Sequence, residues 1–148
     1  MGDAKTCILV VDDEAVDLAL VQHALEAVGG FTLLIAMNYE SALEVFDGHA
    51  AEVSLLITDV SLPGRSGVEL AKALLSEKPH LKVLFTSGWA GAERLAVYGI
   101  PLTDRHFLAK PFEFSDLIAR VREILASPDS ILGSESEPPR AAGESGGA

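Results

Sequence analysis

The sequence predicts an α/β fold: a parallel five-stranded sheet with helices on both faces. Three observations carry this. Short apolar runs alternate five times with segments of helical period, an order that right-handed crossovers resolve into a parallel sheet. The clearest run, Val53 to Thr58, is too continuously apolar to alternate, so both of its faces should be covered. Four of the runs end in polar residues: Asp12 with Asp13, Asp59, Thr86 with Ser87, and Lys110.

In chain order, Thr6 to Val11 reads as the first strand and runs straight into Asp12, Asp13 and Glu14. A helix follows, with Leu18, Val21, Leu25 and Val28 on one face, and Gly29 and Gly30 end it. Phe31 to Ala36 is the second strand. Asn38 suits the N-cap of the next helix, whose inward face is Tyr39, Ala42, Leu43 and Phe46, with Gly48 as a stop signal. The third strand ends at Asp59, because Leu62 to Gly67 is turn chemistry. Ser66 and Glu69 fit a capping box, opening a helix that carries Val68, Ala71 and Leu75 and stops before Pro79. Lys82 to Thr86 is the fourth strand and His106 to Ala109 a short fifth. A last helix starts near Glu113, with Phe114, Leu117, Val121 and Ile124 inward. Between strands four and five, Gly88, Gly91, Gly99 and Pro101 leave room for only a short helix, about Ala92 to Tyr98, and a loop.

Composition bounds the function. The 148 residues suggest one domain, residues 1–127, and an acidic Ser/Gly/Pro-rich tail, 128–148, with too little apolar surface to offset its ordering entropy. Within that tail only Ile131 and Leu132 form an apolar pair, read as plain linker rather than a docking peptide. The net charge of −11 argues against nucleic acid and for partners with basic surfaces. No run approaches the ~20 apolar residues of a membrane helix, and residues 1–5 show no signal region. The expected location is the cytoplasm, with no membrane partner. Cys7, the single cysteine, rules out an internal disulfide and reads as a small core residue. His23, His49, His80 and His106 follow no metal-ligand pattern, and Trp89 and Tyr98 read as packing residues beside the irregular segment.

In a parallel sheet all C-terminal strand ends share one edge, so the four polar ends can converge. Two unit charges ~4 Å apart interact by about 4 kcal/mol at an effective dielectric near 20. Clustered carboxylates therefore need cations. Lys110 supplies one charge, and an all-oxygen site with few protein ligands suits Mg²⁺. Such a site is built for phosphoryl transfer: an acid pair for the metal, a lysine for phosphoryl oxygens, a hydroxyl donor in Thr86, and Asp59 as nucleophile.

At this point the sequence resembles the receiver domain of two-component response regulators. The matching pieces are Val10 to Glu14, Thr58 to Gly64 with Ser66 and Gly67, Leu84 to Gly88, and Phe107 to Phe112, within about residues 5–126. The resemblance implies a flavodoxin-like doubly wound sheet of order 2-1-3-4-5. It implies that Asp59 accepts phosphate from a sensor histidine kinase or histidine phosphotransfer protein and that the domain then switches the binding of a downstream protein target. Asp12 and Asp13 resemble the Mg²⁺-holding pair, with Asp59 and the Ser61 backbone carbonyl as further ligands. Lys110 resembles the lysine that contacts the phosphoryl group, with a cis bond to Pro111. Thr86 and Phe107 resemble the switch pair. Ser61 and Gly88 stand where receivers vary and leave room for water.

Such a domain catalyses only its own phosphorylation and dephosphorylation, so it is not expected to be an enzyme with a separate substrate. Residues 88–105 depart from the family pattern and resemble receivers of hybrid histidine kinases. That argues against a dimer through this segment's helix, the fifth strand and the last helix, and leaves a monomer or weak dimer. Met1 and the tail favour a stand-alone receiver over a module cut from a hybrid kinase. Two other functions compete: a phosphate-independent pseudo-receiver scaffold, and an aspartyl-phosphate hydrolase acting on outside substrates. The intact acidic set opposes the first, and Ser61, where such hydrolases often carry a second acid, opposes the other.

Overall fold

The computed structural model describes residues 5–88 and 106–127. The short helix expected near 92–98, the packing of Trp89 and Tyr98, and the tail from 128 with its Ile131–Leu132 pair lie outside the described residues. The elements are β1 (Thr6–Val11), α1 (Ala15–Val28), β2 (Phe31–Ala36), α2 (Tyr39–His49), β3 (Val53–Asp59), α3 (Gly67–Glu77), β4 (Lys82–Ser87), β5 (Phe107–Ala109) and α4 (Phe114–Ala126). All neighbouring strands pair in parallel, in the order β2-β1-β3-β4-β5. The fold is thus the doubly wound sheet that the sequence implied.

Each strand divides its side chains between two cores. Leu9, Val11, Leu56, Val83 and Phe85 pack with α2 and α3 on one face. Ile8, Val10, Leu55, Ile57 and Leu84 pack with α1 and α4 on the other. The register of β3 against β1 slips between Cys7 and Ile8, so that Cys7 faces Val53 and Ile8 faces Leu55. The extra residue, Ser54, reverses the parity of the strand. Val53 therefore joins the α2–α3 core although an even count would place it with Leu55.

Helix ends are fixed by specific contacts. Asn38 caps α2 by accepting the Ser41 N–H at 2.8 Å, as expected. The Lys78 amine then ties the far end of α2 to β3, donating to the carbonyls of Ala50 and Val53 at 2.8 and 2.5 Å. The Lys82 amine donates to the Ser127 carbonyl at the C-terminal end of α4, where a helix favours positive charge.

Some expectations need correction. Helix α2 runs through Gly48 to His49; a single helical glycine costs only about 1 kcal/mol, which packing can override. Gly29 ends α1 with φ +82° but ψ 166°, an extended glycine conformation rather than a left-handed helical one. Val28 and Phe114 are 39% and 45% exposed, because each is the terminal residue of its helix; Ala24 fills the inward position in α1. Ser66 does cap α3, accepting the Glu69 N–H at 3.1 Å, but the Glu69 carboxylate pairs with Arg65 at 3.4 Å. The reciprocal box stands instead at α4, between Glu113 and Asp116. The fifth strand begins at Phe107 rather than His106, and His106 is buried.

Candidate phosphoacceptor site

The strand ends converge. β1 and β3 are adjacent, which brings Asp12 and Asp13 beside Asp59: one carboxylate oxygen from each lies within 4.8 Å of the others. Asp12 and Asp59 are buried and Asp13 is exposed. Thr86 is the register partner of Asp59 on β4 and is also buried. Leu108 pairs with Thr86, so β5 delivers Lys110 to the same edge. The Lys110–Pro111 bond is cis, as expected.

Lys110 is the hub. Its Nζ donates to Asp12 Oδ2 at 3.0 Å, Asp17 Oδ2 at 2.8 Å and Asp59 Oδ2 at 2.9 Å. An ammonium has three donors, and each meets a carboxylate. Burial works against the charge on Lys110, but the bonds to Asp17, Asp59 and Asp12 outweigh it and hold its pKa above the ordinary lysine value. It remains charged throughout the neutral range.

The acids are oriented from the main chain as well. Asp12 Oδ1 accepts the Glu14 N–H at 2.9 Å, and Asp59 Oδ1 accepts the Ser61 N–H at 3.0 Å. Burial is the largest influence on Asp12 and raises its pKa. The Glu14 N–H and Lys110 pull the other way without cancelling it, and the Asp59 charge adds to the rise. Crowding by Asp59 is thus secondary to desolvation.

The loop after β3 is held close beneath the site. The Gly67 N–H donates to the Val60 carbonyl at 2.8 Å, and the Val60 N–H to the Thr86 carbonyl at 3.0 Å. Arg65 lies over the Tyr39 ring at 4.5 Å, linking the same loop to α2. Phe107 is half-buried against the α2–α3 core, and its carbonyl accepts from Arg120 Nη1 at 2.6 Å.

The donor set fits a hard divalent cation: three carboxylate oxygens at one edge, two of them buried, with no nitrogen or sulfur among them. A cleft of about 300 Å³, lined by Asp17, Leu20, Lys110, Pro111 and Phe112, opens beside it.

Of the residues singled out from sequence, Asp12, Asp59 and Lys110 are in direct contact through the lysine. Asp13 completes the acid cluster. Thr86 flanks Asp59, Ser61 touches it through its N–H, and Phe107 lies one register position from Thr86 along the sheet edge. The residue the sequence did not reveal is Asp17. An acid in a helix's first turn reads as a dipole contact, and only the packing of α1 beside the β5–α4 connection brings it to Lys110.

A parallel sheet that gathers an acid cluster and a lysine at its carboxyl edge fits the class of phosphoacceptor domains. Comparison with known proteins makes the class specific: the chain belongs to the response regulator receiver domain family, whose profile matches residues 8–122. It is 34% identical over 118 residues to the transcriptional regulatory protein CpxR of Escherichia coli, covering 80% of this chain and 48% of that one. It is 32% identical over 130 residues to the sensor kinase CckA of Brucella abortus, covering 87% of this chain and 13% of the kinase. The chain thus spans about half the length of CpxR and a small part of CckA. A solved response regulator receiver protein from Sinorhizobium medicae superposes with a TM-score of 0.73 at 28% identity, over 84% of this chain and 98% of that one. The chain therefore carries a receiver domain of two-component signalling, and that family is a phosphoacceptor signalling domain rather than an enzyme of the ordinary kind. Receiver domains bind Mg²⁺ at an acidic site, and the Asp12, Asp13 and Asp59 cluster answers to that description. Among the described residues, no helix is long and apolar enough to cross a membrane.

Proposed function

We propose that Asp59 is the phosphoacceptor, taking a phosphoryl group from a histidine of a sensor kinase or phosphotransfer protein. The observation that carries this is the hydrogen bond from Lys110 Nζ to Asp59 Oδ2, inside the acid cluster and at a strand end. In the step, an Asp59 carboxylate oxygen forms a bond to phosphorus. The phosphorus–nitrogen bond breaks, its electron pair stays on the imidazole, and an acyl phosphate is left on the domain. Lys110 donates to a phosphoryl oxygen in place of the carboxylate it loses. Asp12, Asp13, Asp59 and the Ser61 carbonyl would hold Mg²⁺, which when bound neutralises charge on the transferring group. The domain acts only on its own phosphoryl group, forming and losing it, within the cytoplasm.

The switch belongs to the same reading. Thr86 turns its hydroxyl to the phosphoryl group, and Phe107 moves inward. A shift from 1:99 to 99:1 needs about 5.5 kcal/mol of differential stabilisation, and one hydrogen bond to a charged group supplies about 1.5–3. Thr86 therefore shares the task with Lys110 and the cation. Thr86→Ala should accept phosphate to the same extent but lower the switching equilibrium roughly ten- to a hundredfold. Amide exchange along β4 and β5, with and without beryllofluoride, reads this; a variant with the full wild-type response removes Thr86 from the switch.

A thermal titration tests the metal assignment. Mg²⁺ at a hundred times its dissociation constant should stabilise the wild type by about 2.7 kcal/mol. Asp12→Asn should lose that gain. Because burial raises the Asp12 pKa in the folded state, the ionised carboxylate costs stability above its unfolded value, and the cost fades as pH falls. Without metal at pH 7, Asp12→Asn should therefore melt above the wild type. A Mg²⁺ response that survives in the variant would contradict the assignment.

In this reading residues 1–127 form the receiver unit and 128–148 an acidic tail, a division supported by the Lys82 bond to the Ser127 carbonyl at the end of α4. The matched stretch of a sensor kinase favours a second context, a receiver module within a hybrid histidine kinase. In either context the proposed partners are a phosphohistidine donor and a downstream protein target rather than nucleic acid or a membrane, and the receiver is read as a monomer or weak dimer. A pseudo-receiver scaffold would show neither Mg²⁺-dependent beryllofluoride binding nor labelling by acetyl phosphate.

A further inference from the structure

Three carboxylates hold the Lys110 ammonium, and the phosphoacceptor reading commits two of them elsewhere. Asp59 becomes an acyl phosphate, and Asp12 is drawn to the cation. Asp17 is neither: it stands in the first turn of α1, one helical turn beyond Asp13, and outside the acid cluster that would hold the metal. Its side chain is 36% exposed, yet its Oδ2 meets Lys110 Nζ at 2.8 Å, 93 residues away in sequence. The donor count makes this contact consequential. All three ammonium donors are engaged in the unphosphorylated domain, and phosphorylation frees the one that pointed at Asp59. The Asp17 bond can persist unchanged while that donor moves to a phosphoryl oxygen.

We propose that Asp17 is a positioning residue that keeps the Lys110 ammonium at the phosphoryl group once Asp59 and Asp12 are taken. The proposal rests on Asp59 being the phosphoacceptor. Asp17 touches neither phosphorus nor metal and acts through the lysine alone. It also lines the cleft beside the site with Lys110 and Pro111, so the same ion pair shapes the wall past which a phosphodonor arrives.

The test is the rate of phosphoaspartate formation from acetyl phosphate at saturating Mg²⁺, in wild type, Asp17→Ala, Asp17→Asn, Lys110→Ala and the Asp17→Ala/Lys110→Ala pair. Removing a supporting partner of a reacting group should slow labelling about tenfold in Asp17→Ala. The Mg²⁺ midpoint, read by thermal titration, should not move. Asp17→Asn keeps an acceptor oxygen and should recover part of the loss. In the Lys110→Ala background, Asp17→Ala should add nothing. An unchanged rate in Asp17→Ala overturns the proposal, and so does an equal slowing in the absence of Lys110. A wild type that labels beside an indifferent Asp17→Ala overturns this inference alone, whereas a wild type that takes no phosphoryl group overturns the phosphoacceptor reading with it.

Discussion

Gly67→Ala should destabilise the domain by about 3 kcal/mol or more and displace the phosphoacceptor. The reason is space, not backbone conformation. A Cβ on Gly67 would lie 2.0 Å from the Asp59 carbonyl oxygen and 2.9 Å from both the Asp59 carbonyl carbon and Thr58 Oγ1. The neighbours cannot give way cheaply. Asp59 is in register with Thr86 in the middle of the sheet, Thr58 is fully buried, and the Gly67 N–H is tied to Val60. Overpacking at a fixed backbone costs about 1–3 kcal/mol, and more where nothing relaxes. Against a total stability of about 5–15 kcal/mol, that is a large share. A urea midpoint lowered by at least about 1 M is expected; an unchanged midpoint would show that the loop after β3 has slack that the structure does not show.

Asp59→Asn should abolish phosphoryl acceptance while leaving the fold in place. The amide is nearly isosteric with the carboxylate, and its oxygen can still accept the Ser61 N–H that now meets Asp59 Oδ1. Lys110 keeps Asp12 and Asp17 as ionic partners. One negative charge leaves a crowded edge, so stability should not fall. What is lost is the anionic oxygen that forms the bond to phosphorus, since a neutral amide is not a nucleophile of that kind. Unfolding should match the wild type, and labelling should disappear. Residual labelling at the wild-type rate would place the acceptor elsewhere.

The two predictions differ in how far the sequence foresaw them. Asp12, Asp13, Asp59, Thr86 and Lys110 were legible because each follows an apolar run, and a parallel sheet sends all such ends to one edge. That inference needs only the period of the chain and the topology it implies. Gly67 was legible as turn chemistry and as part of the receiver resemblance, but not as a contact of Asp59, which depends on how closely α3 approaches β3. Asp17 was silent for a similar reason: its partner lies across the α1 and β5–α4 packing. The Ser54 bulge was hidden because a continuously apolar strand shows no period to break. The cap of α4 was missed because Glu113 is a weaker N-cap than the Ser, Asn or Asp that sequence reading seeks. Local spacing thus located the acid cluster and its lysine, while the supports around them came from tertiary approach.

On the proposed reading, Asp59 takes a phosphoryl group with the help of a divalent cation. Intact mass followed by site mapping, after incubation with acetyl phosphate and Mg²⁺, tests it most directly. One phosphoryl adduct on Asp59, absent with a chelator and absent in Asp59→Asn, is the predicted result. An adduct on another residue, one that persists in Asp59→Asn, or none from either acetyl phosphate or a histidine-phosphorylated kinase with the protein folded, would contradict it.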